Sequence, residues 1–255
     1  MSPVSELIAD AWRYFNAGDY AHAAELAQHG LAQDPDYGPL WQLRGLLQQA
    51  QGDTAGAVRC LEAATTLGPL SATAQCALAN CYAAVGQSAL AGTIFKYLAT
   101  SKSCPAELLS TVSIGLQRLG DFDGALVACR EAARRMPEED APWFGIAFCL
   151  SRLGYPPDMI LSPLQKAFDL APECMSYRVG LACMLHRAGQ LDRACRLIQH
   201  LSIETIEAIT CTNCLHRLVV LYEAIDDAAR RDACSQRLTR LTSQVLDQRS
   251  PQPPP

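Results

Sequence analysis

The chain has 255 residues, 49% of them apolar and 18% charged, with a formal net charge of −5 and an isoelectric point near 5.5. A chain of this length buries roughly three quarters of its unfolded surface. Its composition excludes a disordered or fibrous protein, no stretch nears the ~18 uninterrupted apolar residues of a membrane span, and the acidic balance lacks the basic footprint that nucleic acid demands.

The opening residues, MSPVSELIADAW, carry neither a basic leader nor an apolar signal core, so a cytoplasmic location is expected. In that compartment the twelve cysteines are read as thiols, most of them acting as small buried apolar residues.

Gly18, Gly52, Gly86, Gly120 and Gly154 stand 34 residues apart, and Gly189 follows after 35. In chain order this defines six copies, at about 4–37, 38–71, 72–105, 106–139, 140–174 and 175–208. Small residues recur ahead of each glycine, at Ala11, Gly45, Ala79, Ser113, Ala147 and Ala182, and alanines follow it at Ala23, Ala57, Ala91, Ala125 and Ala194. Pro35, Pro69, Pro137 and Pro172 close units, and Trp41 and Trp143 lie three periods apart.

Such a period predicts two short antiparallel helices per copy. The small residue and the alanine let the two backbones approach, and the glycine ends the first helix in a left-handed turn. Asp or Gln after the glycine suits the start of the second helix. Apolar residues at helical spacing, with no alternation of period two, exclude strands.

The fifth copy departs from the pattern. Ser162-Pro163-Leu164-Gln165 reads as a helix start with serine as cap and proline in the first turn, which predicts a loop or short turn over Tyr155 to Leu161 ahead of a shortened helix. After Leu201 the register breaks. Residues 209–248 read as a degenerate repeat or capping helix pair, Cys211 to Ala224 and Asp227 to Asp247, the last apolar at Cys234, Leu238, Leu241 and Val245. Residues 249–255 read as a disordered, proline-rich tail.

The stretch from Pro39 to Pro69, with Trp41, Leu43, Gly45, Gly52, Ala57, Leu61, Ala64 and Pro69, resembles the tetratricopeptide repeat (TPR) family. The resemblance implies an all-α, right-handed solenoid of about six helix pairs plus a C-terminal capping pair, about fourteen helices in one continuous domain. It also implies a concave face of first helices that binds a protein or peptide. The family members that clamp acidic chaperone tails carry Lys, Arg and Asn there, and of these only Asn80 is present.

Projection of the first helices gives a groove lining of Ile8, Trp12, Phe15, Gln42, Leu46, Gln49, Cys76, Asn80, Ile114, Gln117, Phe144, Phe148, Arg152, Cys183 and His186. Within it Trp12, Phe15, Leu46, Asn80, Ile114, Phe144 and Phe148 are the expected partner contacts, because buried aromatic and aliphatic anchors carry most binding energy. The expected function is a non-catalytic adaptor, scaffold or chaperone-like module holding an apolar or amphipathic segment. Self-association into a homo-oligomer through an incompletely capped end is a further possibility.

No phosphate loop, nucleophile elbow or zinc-protease motif is present, so no enzyme is expected. The five histidines show no recurring carboxylate partner. Cys211, Cys214 and His216 are the candidates should a metal bind, but a single CxxC falls short of four converging ligands, and no cofactor or metal is expected. A metal- or thiol-dependent sensor built on these C-terminal cysteines is the alternative reading.

Overall fold

The computed structural model describes residues 3–247, and every regular element among them is an α-helix, fifteen in all. Where one continuous array was expected, the chain divides into two compact units between Met136 and Pro137. The preceding helix ends there because Met136 N–H closes on the Ala132 carbonyl at 2.8 Å, and Pro137 has no N–H with which to continue the ladder.

The first unit comprises α1 (Pro3–Asn16), α2 (Tyr20–Gln33), α3 (Gly38–Ala50), α4 (Thr54–Leu67), α5 (Ala72–Ala84), α6 (Ser88–Thr100), α7 (Leu108–Arg118) and α8 (Phe122–Arg135). They form four pairs, each turned by one glycine at φ 78–83°. In the α3–α4 turn Gly52 N–H reaches the Gln49 carbonyl at 3.0 Å and Asp53 N–H reaches Gln48 at 2.9 Å, satisfying carbonyls that the helix end leaves open. The next residue then starts the second helix. Asp19, Asp53 and Asp121 accept the backbone N–H of His22, Gly56 and Gly124 at 3.2, 2.8 and 3.0 Å, each cap stabilising by about 1 kcal/mol.

Close approach explains the small residues. Ala11, Ala23, Ala57, Ala79, Ala91 and Ala125 are fully buried. A Cβ on Gly45 would stand 2.5 Å from Leu61 Cγ, and one on Gly115 would stand 2.4 Å from Phe95 Cζ. Phe95, Leu61 and Leu116 are completely buried, each worth about 1.5–3 kcal/mol. The repeat-closing prolines have a second use: Trp41 donates its indole N–H to the Pro35 carbonyl at 2.7 Å.

The second unit comprises α9 (Asp140–Arg152), α10 (Pro157–Leu170), α11 (Met175–Arg187), α12 (Leu191–Ile198), α13 (Ile203–Ala208), α14 (Thr212–Ala224) and α15 (Ala228–Asp247). Gly154 and Gly189 turn α9 into α10 and α11 into α12 at φ 77° and 75°. Trp143 repeats the proline contact, donating to the Pro137 carbonyl at 3.0 Å. Arg178, at the same repeat position, reaches the Pro172 carbonyl at 2.8 Å.

Two expectations are corrected here. The predicted loop over Tyr155 to Leu161 is helix from Pro157 onward, and α10 is a full fourteen residues with Pro163 inside it. Pro157 takes the first helical turn, where a missing N–H leaves nothing unpaired, so the start that was read with Ser162 as cap and Pro163 in the first turn lies six residues earlier, with Pro156 as cap. The second correction is α13, an extra short helix capped by Ser202 accepting Thr205 N–H at 3.1 Å. It raises the described helices from the expected fourteen to fifteen.

The terminal pair α14–α15 encloses Tyr222, fully buried, with its hydroxyl donating to the Ile198 carbonyl at 3.0 Å. Cys234 is buried, as expected of the apolar side of α15. On its other side Arg230 and Arg237 donate to the carbonyls of Leu201 and Ile209 at 2.8 and 3.1 Å, and Arg240 pairs with Glu207. These three side chains pin α13 from both ends. The predicted tail at 249–255 lies outside the described residues.

Candidate functional site

In the first unit the candidate contacts are mostly engaged in the fold. Trp12 and Phe15 meet edge to face at 5.3 Å and pack, half-buried, on the core around Ala11, Leu43 and Leu47. Leu46 is 5% exposed. Asn80 turns its amide onto the Cys76 carbonyl of its own helix at 3.0 Å. Gln42 and Gln49 of α3 donate to the carbonyls of Pro69 and Ala77 at 3.3 and 3.2 Å, joining α3 to α5 and the segment that leads into it. Ile114 differs: it is 48% exposed on α7. His22 shares a hydrogen bond with Asp19 at 2.6 Å.

In the second unit the structure brings Phe144 and Phe148 together. They wall an apolar cleft of about 60 Å³ whose lining comes from four helices. Helix α9 supplies Phe144, Ala147, Phe148 and Ser151, one face at helical spacing, and α10 supplies Ile160 and Leu164 as a buried floor. Helix α11 supplies Gly180 and Met184, and α14 supplies Arg217. At Gly180 an added Cβ would stand in ordinary van der Waals contact with Leu164 at 3.7 Å. With ~30 Å³ per water, the cleft admits the end of one aliphatic side chain.

The two phenylalanines differ in their attachment. Phe144 lies on the Tyr177 ring at 4.8 Å, and Tyr177 is itself anchored by donating to Asp140 Oδ2 at 2.5 Å. Burial first, then the carboxylate acceptor, drives the Tyr177 hydroxyl well above the ordinary tyrosine value. Phe148, 38% exposed, forms the outer lip. No acidic side chain lines the cleft, and Arg217 has no ion pair among the described residues. Projection missed Ser151, Met184 and Arg217. It named Cys183 and His186 on α11, while the cleft takes Met184 between them; the Gly180–Met184 spacing of one turn was the available signal.

The C-terminal cysteines sit at the start of α14. Cys211 is the helix cap, and its Sγ accepts Cys214 N–H at 3.4 Å. Cys214 Sγ lies 3.7 Å from Ser176 Oγ on α11. Partial burial acts to raise the Cys211 thiol, but hydrogen bonds from the Cys214 thiol and from the N–H groups of Cys214 and Asn213, with the Arg217 charge, outweigh it and hold the thiol below its ordinary value. Burial, then the Cys211 partner, push Cys214 up to about 11. Cys211 and His216 are exposed and Cys214 is buried; no group of three metal-binding side chains gathers among the described residues. No helix among the described residues is long and apolar enough to cross a membrane.

A family model described as tetratricopeptide repeat matches residues 43–105. The cellulose synthase 2 operon protein C of Komagataeibacter xylinus is 33% identical over 144 residues, 55% of this chain and 11% of that protein. A TPR repeat-containing protein of Pseudomonas aeruginosa is 47% identical over 49 residues, 19% of this chain and 47% of that protein. The chain thus spans less than half the length of either curated relative. Among solved structures, the C-terminal part of a TPR repeat-containing protein from Cytophaga hutchinsonii superposes with a TM-score of 0.67 at 11% identity, covering 96% of this chain and 100% of that one. The family match falls on the second and third helix pairs, and their glycine turns and buried alanines recur in the pairs turned by Gly18, Gly120, Gly154 and Gly189, so the chain is similar to the tetratricopeptide repeat proteins.

Proposed function

We propose that the chain is a non-catalytic protein-interaction module, an adaptor or chaperone-like scaffold that holds an apolar or amphipathic segment of a protein partner against its first helices. The carrying observation is the cleft under Phe148, apolar except at Ser151 and Arg217. An apolar side chain of the partner enters it, and a nearby carboxylate of the same segment meets Arg217, which fits an amphipathic ligand. In the first unit Ile114 is the exposed candidate contact, and Trp12, Phe15, Leu46 and Asn80 are proposed as further contacts along the first helices. Phe144 positions the cleft and Phe148 touches the partner. The twelve cysteines, most of them buried, suit a reducing, cytoplasmic place of work.

The test is affinity capture from the native cell's lysate with wild type beside Phe148→Asp, chosen over Phe144 because Phe144 also holds Tyr177. The expected result is a protein retained by wild type and lost from the variant, with both baits giving the same helical circular dichroism. Identical proteins on both baits would reject the cleft.

A further inference from the structure

We propose that Cys211 and Cys214 form a dithiol site that exchanges with low-molecular-weight disulfides and closes into an intramolecular disulfide. The inference stands apart from partner binding: it rests on the start of α14 and not on the cleft under Phe148.

Of the twelve cysteines, Cys211 alone is exposed, while Cys214 is 4% exposed. One thiol is thus open to a reagent and the other, one helical turn on, is shielded from it. Side chains three apart on a helix stand about 5–6 Å apart between Cβ atoms, slightly wider than the ~3.5–4.5 Å of a disulfide. Cys211 lies outside the helical ladder with extended backbone (φ −79°, ψ 105°), so its side chain can make up the difference. Its sulfur already lies over the first turn, 3.4 Å from Cys214 N. N–H groups at a helix start favour the thiolate there.

The surroundings suit a small neutral reagent. A surface depression of about 340 Å³ is lined by Cys211 and Cys214 with Met175, Ser176, Thr205 and Ile209, and no charged side chain borders it. In the first step the Cys211 thiolate attacks one sulfur of a disulfide RSSR. The Cys211–SR bond forms, the S–S bond breaks, and one RS⁻ leaves with the electron pair and takes a proton from water. Cys214 then gives up its proton and attacks Cys211 Sγ; the protein disulfide forms and the second RS⁻ leaves. Two protein thiols have lost two electrons and two protons, and the reagent has become two thiols, so excess thiol reverses the reaction.

Closure has a structural effect. The Cys214 sulfur that now faces Ser176 on α11 at 3.7 Å turns toward Cys211, and the α11–α14 contact loses that link. Cys174 supplies an internal comparison. It caps α11 as Cys211 caps α14, but its side chain accepts no capping bond, and Tyr177 stands where a second thiol would be needed.

The test treats the folded full chain with bis(2-hydroxyethyl) disulfide, quenches with acid, alkylates remaining thiols and maps tryptic peptides. Peptide 197–217 contains Cys211 and Cys214 and no other cysteine. Wild type is expected to yield this peptide lighter by two hydrogens and protected from alkylation, and Cys214→Ser to yield it with one reagent half on Cys211. Modification of Cys211 is expected to be about tenfold or more faster than that of Cys174. Where Cys214→Ser loses helical signal, Cys214→Ala serves in its place. Wild type that stays doubly alkylated, or a Cys214 variant that modifies Cys174 as fast as Cys211, overturns the proposal.

Discussion

Asp226 occupies in the α14–α15 turn the place that Gly189 occupies in the α11–α12 turn. Both have positive φ, 56° and 75°. Asp226 N–H reaches Glu223 at 3.2 Å as Gly189 N–H reaches His186 at 2.9 Å, and the following residues close on Tyr222 and Leu185 at 2.9 and 2.8 Å. Asp227 then caps α15 by accepting Arg230 N–H at 3.1 Å, as the aspartates of the first unit do. The terminal pair is therefore turned like a repeat, with a non-glycine residue in the strained position.

That strain gives a signed prediction. A non-glycine residue in the left-handed region costs about 1–2 kcal/mol, and the added freedom of glycine in the unfolded chain costs about 0.4–1 kcal/mol. The first term wins, so Asp226→Gly is expected to stabilise the second unit by about 0.5–1 kcal/mol. Urea unfolding followed by circular dichroism checks it, and a lower midpoint for the variant would contradict the turn described.

Gly115 and Phe95 test the close approach of helices in the first unit. A Cβ on Gly115 would stand 2.4–2.8 Å from three atoms of the Phe95 ring, and that ring is fully buried. Overpacking of this kind costs about 1–3 kcal/mol, so Gly115→Ala should lower stability by that amount. Adding Phe95→Leu should restore about 1 kcal/mol of it, because the two sites share one space. Strict additivity of the two losses in a double-mutant cycle would rule out the contact.

Pro163 is the third case. It lies at the seventh position of α10 and is buried, and it withholds the N–H that would bond the Met159 carbonyl. An interior proline costs about 3 kcal/mol; removing its two outer ring carbons loses about 1.6 kcal/mol at ~0.8 kcal/mol per buried CH₂. Pro163→Ala is expected to stabilise by about 1 kcal/mol in thermal unfolding. A destabilised variant would mean that the ring's packing beside Leu164 outweighs the lost bond.

Much of this was legible in the residues because only glycine takes left-handed turns without penalty, and its ladder from Gly18 to Gly189 marks six of the seven turns. The seventh lacks the glycine signature, since Asp226 follows Gly189 by 37 residues, but the helix ends expected at Ala224 and Asp227 bracket it. The start of α10 was misplaced for a related reason. Pro163 behind Ser162 reads as a first-turn proline, a place that Pro157 takes instead, and only packing distinguishes the one that begins a helix from the one buried inside it.

The lining of the cleft was half legible. Phe144 and Phe148 project correctly because they lie in one helix with the tryptophan that sets its register. Met184 and Arg217 come from copies displaced by inserted residues, and a shift of one position turns a helix face by about 100°. Leu46 shows the converse, since adjacent Leu46 and Leu47 are both buried and the sequence alone does not say how wide the core stripe is.

The proline-bound indoles have an optical consequence. Of the three tryptophans, Trp41 lies in the first compact unit and Trp143 in the second, each fixed by a hydrogen bond to a backbone carbonyl. A Trp12→Phe chain therefore has one emitter per unit, and silencing either leaves the other to report on its own half during denaturation. Trp143 adjoins Phe144 in sequence, so its emission also serves as a gauge of occupancy next door, with no dye attached.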